Sequence, residues 1–228
     1  MQTYLQSIEK AFKASENPQI ANGQKAYMKH KFEFYGLKSP ERKAIQKAFF
    51  LKNHLPDKNE LSQITKSLWR KPQRELQYCA QELAFKYIKK VEENDIKLYE
   101  YMVTQKSWWD TVDFIASNLM GNYFKIYPHL RKSYASKWLA SGNIWLQRSA
   151  LLFQLKYKED VDESLLSRTI HALLGSNEFF INKAIGWVLR EYSKTNPEWV
   201  VAFTSQTKLH KLSKREALKW LKNKPASE

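Results

Sequence analysis

The sequence is poor in cysteine, glycine and proline. Its single cysteine, Cys79, excludes a disulfide framework and a thiolate metal site. The apolar neighbours of Cys79 favour a buried small side chain over a nucleophile. Only 6 glycines and 7 prolines occur among 228 residues, which argues against an all-β sandwich with its frequent turn signals. The abundant leucine, lysine, glutamate and alanine favour helices instead.

Long apolar runs and paired histidines are also missing. No stretch approaches the roughly 20 apolar residues of a membrane-spanning helix, and the first residues lack the basic end and apolar run of a signal peptide. We therefore expect no membrane partner and a cytoplasmic location. The five histidines are far apart in the sequence, and none forms a HExxH-type pair, so no metal site is expected.

Acidic residues are scarce relative to basic ones. The chain has 23 aspartates and glutamates against 38 lysines and arginines, a net charge of +15. Such an excess suits a polyanionic partner, because each phosphate contact releases condensed counterions; a soluble protein from a basic proteome is the alternative. The C-terminal run KLSKREALKWLKNK is similar to a localisation signal, but a solvated helix face is the favoured interpretation. Within it, Ser213 and Glu216 fit a capping box, which predicts a helix that begins just after Ser213.

The sequence does contain an internal period of 35 residues. Steps of 35 in both directions from Arg148 reach a row of mostly polar residues: Lys43, Tyr78, Asp113, Arg148 and Lys183. The second residue after each is isoleucine or alanine, and breaker and N-cap residues recur with the same period. The pattern predicts units of two helices joined by a short turn, stacked so that equivalent residues line one face.

We therefore predict an all-α fold, a superhelical solenoid of about six HEAT-like helical hairpins with a period near 35 residues. The repeats would form one domain, with irregular helices in residues 1–35, repeats in residues 36–221 and a frayed tail in residues 222–228. A monomer is the simplest expectation, because a single chain would line the groove.

Asp113 is the only acid in the periodic row, where its charge would repel phosphates. Trp109 lies four residues before Asp113, so the two share a helix face. Trp187 lies four residues after Lys183, and Phe179 and Phe180 begin that same helix. The hypothesis is a carboxylate flanked by aromatic side chains in a basic groove.

This arrangement suits cleavage of the glycosidic bond of an alkylated purine. Alkylation at N3 or N7 places a positive charge on the base, which then leaves without an acid catalyst. The sugar passes through an oxocarbenium-like state, which a carboxylate can stabilise while it orients the attacking water. Indole faces can hold the cationic nucleotide by cation–π contacts of about 0.5–2 kcal/mol each.

Structural interpretations of the same residues stay open at this point. Asp113 could form only a salt bridge with Arg148 in the next repeat, and Trp109 and Trp187 could be core residues. Arg148 could contact a phosphate, pair with Asp113, or do both. A non-catalytic nucleic-acid-binding scaffold would keep the basic row without needing Asp113, and a protein-interaction solenoid would not need the positive charge.

Five segments resemble the AlkD-like DNA alkylation repair glycosylases. They are AYMKHKFEFYGLKSPERK, KSWWDTVD, NIWLQRSALLFQLKYK, EFFINKAIGWVLREYSKTNP and LSKREALK, which together run through nearly the whole chain. The resemblance implies a HEAT-like enzyme that removes N3- and N7-alkylated purines from duplex DNA. It further implies a mechanism without metal or nucleotide cofactor, and without full flipping of the base.

The resemblance also implies roles for particular residues. Asp113 would be the catalytic carboxylate, with Trp109 and Trp187 against the sugar and phosphate. Arg148 would contact a phosphate, and Tyr27 would lie in the groove near the N-terminus. The predicted DNA-binding set is completed by residues from the period analysis: Lys43, Lys183, Arg190, Phe179 and Phe180. The expected partner is double-stranded DNA that contains alkylated bases.

Overall fold

Helices joined by short turns make up the structure, a computed structural model that describes residues 2–223. They are α1 Gln2–Lys13, α2 Pro18–Tyr27, α3 Ser39–Asn53, α4 Leu61–Arg70, α5 Arg74–Lys86, α6 Asp95–Thr104, α7 Trp109–Phe114, α8 Gly121–Ile126, α9 Arg131–Ala140, α10 Ile144–Leu152, α11 Glu163–His171, α12 Phe179–Tyr192, α13 Pro197–Gln206, α14 Lys211–Ala217 and α15 Lys219–Asn223. Within residues 2–223 no β-strand forms, and none of the helices there is long and apolar enough to cross a membrane. The predicted all-α class of helical repeats is confirmed.

The chain divides into two compact units, Met1–Leu98 and Tyr99–Glu228. The organisation as one domain stays a prediction, and the part of the predicted tail after Asn223 lies outside the described residues. In the first unit, α1 packs against α3 and α4, and α4 packs against α5. The buried carboxylate of Glu75 accepts hydrogen bonds from the backbone N–H groups of Tyr35, Gly36 and Leu37. This contact fixes the segment that leads into α3.

The helices of the second unit form two rows. In the first row α7, α10, α12 and α14 pack in succession, and in the second row α9 packs against α11. Helix α10 contacts both α9 and α11, which joins the rows. Apolar side chains such as Leu151, Leu166, Ile170, Ile185 and Leu189 fill the space between them. The residues predicted to form the active site therefore lie on the first row.

Hydrogen bonds between neighbouring repeats join residues separated by about one sequence period. The Tyr157 hydroxyl donates to the Gly121 carbonyl, 36 residues away, at 2.6 Å. The Trp138 indole donates to Glu100, 38 residues away, at 2.7 Å. In repeat proteins, each repeat typically contacts only the repeats next to it. Such contacts are the physical reason that the period was visible in the sequence.

A π-helical turn follows the segment that carries Asp113. It spans Ile115–Met120 and connects α7 to α8, an irregularity frequently found at functional sites. At the start of α8, a Cβ on Gly121 would lie 2.7 Å from the backbone oxygen of Phe153. Only glycine allows this close approach, which fixes α8 against the chain that follows α10.

The predicted capping box at the C-terminal end is wrong. Helix α14 begins at Lys211, and the His210 ring, not Ser213, accepts the capping hydrogen bond. Ser213 is buried inside the helix, and its hydroxyl donates to the Asn182 backbone oxygen at 2.8 Å. A tertiary partner on α12 thus replaced the local contact that the motif predicted, which leaves Glu216 available for other contacts.

Candidate active site

Arg148 on α10 joins α7 and α12, the helices that carry the three residues predicted to be catalytic. From α10, its guanidinium donates to both carboxylate oxygens of Asp113 on α7, at 2.7 and 2.8 Å. The remaining guanidinium nitrogen, Nη1, donates to the backbone carbonyl of Phe180 at the start of α12. Only 4% of the Arg148 side chain and 16% of the Asp113 side chain is exposed. The planar fork of arginine suits this bidentate geometry.

Burial and charge act in opposite directions on Asp113. Burial raises the pKa of the Asp113 carboxyl above its usual value, and the nearby Asp110 adds to the rise. The hydrogen bonds and charge of Arg148 lower the pKa and so counteract part of the shift. A desolvated carboxylate held by one cation interacts more strongly with a positive charge than a solvated one does. The ionisation of Asp113 therefore depends on Arg148.

The contacts of Asp113 bear on the interpretations that the sequence left open. The ion pair with Arg148 exists, so Asp113 does form a salt bridge with the next repeat. The Asp113 side chain keeps part of its surface exposed, so the ion pair with Arg148 does not prevent contact with a ligand. Of the two roles considered for Arg148, pairing with Asp113 is present, and phosphate contact stays a prediction.

The two tryptophans predicted to flank Asp113 lie on different helices. Trp109 begins α7, and Trp187 lies in the second half of α12. Both side chains are partly exposed. One side of Trp187 packs against the apolar core of the second unit, so it combines the core contact with partial access to solvent. Helix α10, which carries Arg148, contacts both α7 and α12.

An aromatic cluster lies beside the ion pair. The rings of Trp108, Trp145 and Phe180 contact one another with centroid distances of 5.0–5.7 Å. Phe179 packs edge-on against Phe180 at 5.4 Å and is 58% exposed. Of the two phenylalanines predicted to bind DNA, Phe180 is mainly a packing residue whose carbonyl holds Arg148, and Phe179 presents its ring to solvent.

Lys183 and Arg190, both predicted to bind DNA, share one acidic partner. Glu216 on α14 binds Lys183 through one carboxylate oxygen and Arg190 through the other, each at 2.9 Å. The hydrogen bond from Lys183 is the main cause that lowers the pKa of Glu216, and Arg190 and Lys219 add to the effect. Glu216 thus stays ionised and offsets part of the positive charge of Lys183 and Arg190.

Tyr27 and Lys43 belong to the first unit. Tyr27 ends α2 with 69% of its surface exposed, and Lys43 is exposed on α3. Next to Lys43, Arg42 is buried and forms its own two-bond ion pair with Glu82, at 2.7 and 3.1 Å. This second pair matches Arg148 and Asp113 in burial, with 6% and 20% of the side chains exposed.

Sequence reasoning missed two features of the site. Glu216 was assigned to a helix cap, although its position as the single acid in the basic C-terminal run was a signal of another role. The Phe180 carbonyl that accepts from Arg148 had no signal, because every residue has a backbone carbonyl. Among residues 2–223, no group of three or more histidine, cysteine, aspartate and glutamate side chains is placed to hold a metal ion.

Comparisons with known proteins bear on the family of this chain. The family model of the DNA alkylation repair enzymes matches residues 8–221. A solved structure of a predicted DNA alkylation repair enzyme from Enterococcus faecalis is 35% identical, with a TM-score of 0.85. The match covers 92% of this chain and 98% of that one. No curated protein matches the sequence.

Proposed function

The chain belongs to the family of DNA alkylation repair enzymes, and on that premise we propose that it is a glycosylase that excises N3- and N7-alkylated purines from duplex DNA. The observation that carries the proposal is the Asp113 side chain, which is 16% exposed and is held by Arg148, whose guanidinium also binds the carbonyl of Phe180 in the aromatic cluster. A largely buried anion on the same row of helices as the partly exposed Trp109 and Trp187 fits a cationic nucleotide better than a neutral one.

The reaction would use the charge of the lesion. The bond between C1′ of the sugar and the alkylated base breaks, and its electron pair neutralises the positive base. The Asp113 carboxylate stabilises the oxocarbenium-like sugar that results. Water then attacks C1′ and releases a proton, which Asp113 or solvent accepts. The products are the free alkylated base and an abasic sugar in the DNA.

The other predicted residues would hold the DNA. Trp109 and Trp187 would pack against the sugar and phosphate of the lesion, and the exposed Phe179 ring would contact the nucleotide. Lys183 and Arg190 would face the backbone. Tyr27 and Lys43, which lie in the first unit, keep their predicted role as DNA contacts. We propose that the protein acts as a monomer, since Asp113, Arg148, Trp109 and Trp187 all come from one unit of one chain.

Base release is the direct test of this proposal. We expect the purified protein to release 7-methylguanine or 3-methyladenine from methylated duplex DNA without added metal, detected by chromatography of the free bases. The matched substrate is the same duplex without methylation, from which no guanine or adenine should be released. A protein that binds methylated duplex yet frees no base would instead be a non-catalytic DNA-binding scaffold.

Replacing Glu216 with glutamine should strengthen DNA binding. The substitution removes the anion that pairs with Lys183 and Arg190, so both cations become available to phosphates. Because each new phosphate contact adds about 0.9 to the slope of log K against log salt, we expect a slope steeper by about 1 to 2. Titration of an undamaged duplex at several salt concentrations measures it. Binding unchanged from the wild type would remove Lys183 and Arg190 from the DNA-binding set.

A further inference from the structure

The exposed charged side chains of helices α14 and α15 are all positive. These five residues, the C-terminal basic face, are Lys211, Lys214, Arg215, Lys219 and Lys222, all exposed. Among residues 2–223 none of the five takes part in a salt bridge. The single acid of this segment is Glu216, which is buried and already bound to Lys183 and Arg190 on α12.

The C-terminal basic face lies next to the predicted DNA contacts of α12. Helix α14 is the fourth member of the row α7, α10, α12 and α14. A Cβ on Gly186 would lie 2.9 Å from the Ser213 backbone oxygen, so the backbones of α12 and α14 approach closely. Glu216 spans the junction, because its carboxylate reaches Lys183 and Arg190 on the other helix. The row of helices that carries the candidate site thus continues into the basic face.

The charge pattern is not that of an ordinary solvated helix. Solvated faces usually intersperse both signs, often as pairs of opposite charge three or four residues apart. Here Lys211 and Arg215 are four residues apart, and Lys219 and Lys222 are three apart, so like charges are neighbours. Like-charged neighbours destabilise a helix. A polyanion bound along the face would remove that repulsion.

We propose that the C-terminal basic face binds the phosphate backbone of duplex DNA beside the lesion site, independently of base sequence and damage. The inference rests on the proposed function in that the DNA is the substrate duplex held along the same row of helices. Four helical residues rise about 6 Å, so Lys211 and Arg215 on α14 can meet successive positions along one strand, and Lys219 follows at the start of α15. Because backbone contacts carry no sequence information, this surface would increase affinity for damaged and undamaged DNA alike.

The triple variant Lys211→Gln/Arg215→Gln/Lys219→Gln tests the proposal. Glutamine retains helix propensity and removes the charge. Loss of up to three phosphate contacts should reduce the salt slope for undamaged duplex binding by about 2 to 3. The control is Lys132→Gln/Lys137→Gln/Arg168→Gln, which removes two lysines and one arginine from exposed positions on α9 and α11, in the other row; of these, Lys137 pairs with Glu100. The control should leave the slope within about 0.5 of the wild type, since distant charges release few counterions.

A second measurement uses the unmodified protein. Lysine acylation with and without undamaged duplex, read by mass spectrometry, should show protection of Lys211, Lys214 and Lys219. Lys132 and Lys137 should stay equally reactive in both conditions. Equal slope losses in the two triple variants, or acylation of the basic face unaffected by DNA, would overturn the proposal. Both measurements use undamaged DNA, so failure of base release refutes the glycosylase assignment without deciding this one.

Discussion

Replacing Asp113 with asparagine is expected to reduce the rate of base release by about 10²–10⁴-fold, the range lost with an electrostatic or general-base group. Asparagine keeps the size of the side chain but removes the charge that would stabilise the sugar cation. Affinity for methylated duplex should stay equal or increase, because an acid is lost from a basic surface. Single-turnover base release and a separate binding titration measure the two effects.

The Asp113→Asn substitution also breaks a buried ion pair, and the structure contains a second such pair that serves as a control. Asparagine at position 113 leaves the buried Arg148 without its ionic partner, and breaking such a pair costs about 3–5 kcal/mol of stability. Glu82→Gln causes the same kind of damage to Arg42 in the first unit, at similar burial. Glu82→Gln should therefore lose comparable stability, measured by denaturant unfolding, and retain base release near the wild-type rate.

The comparison of the two variants decides the role of Asp113. Equal loss of activity in Asp113→Asn and Glu82→Gln would mean that Asp113 contributes only to stability. The double variant Asp113→Asn/Arg148→Gln adds a further check, because it also removes the unpaired cation. It should recover part of the stability lost in Asp113→Asn and none of the activity.

The second large effect is expected for Arg148→Gln. Without the guanidinium, nothing opposes the burial that raises the pKa of Asp113, so the carboxyl stays protonated to a higher pH. The wild-type rate should fall as pH decreases through the Asp113 pKa, and in Arg148→Gln this fall should begin at a higher pH. We expect a rate about 10²-fold lower near neutral pH, partly recovered as pH rises, in line with the loss of one preorganised charge.

Two measurements separate this positioning role from direct phosphate contact. A pH–rate profile at saturating DNA reports the ionisation of Asp113 in the complex. A salt titration of binding reports phosphate contacts, and loss of one would reduce the slope by about 1. We expect the profile to shift and the slope to stay the same. An unshifted profile together with a reduced slope would instead make Arg148 a phosphate-binding residue.

The sequence predicted the fold class because repeat proteins form most of their contacts between neighbouring repeats. The bond between Tyr157 and Gly121, 36 residues apart, joins positions that the period had already related. Asp113 and Arg148, 35 residues apart, were considered as partners for the same reason, and the structure has that ion pair. The capping box at Ser213 failed because a buried contact with Asn182 outweighed a local preference.

The residue types and their spacing by themselves determined the helical repeats, the positive charge and the position of Asp113 as the lone acid in a basic row. Tertiary structure decided which polar groups meet across helices. The Phe180 carbonyl holds Arg148, and Glu216 pairs with Lys183 and Arg190. Burial raises the pKa of Asp113, and Arg148 counteracts part of that rise. Hydrophobic periodicity is a property of the chain, but desolvation and the choice of a charged partner depend on the distances that only packing creates.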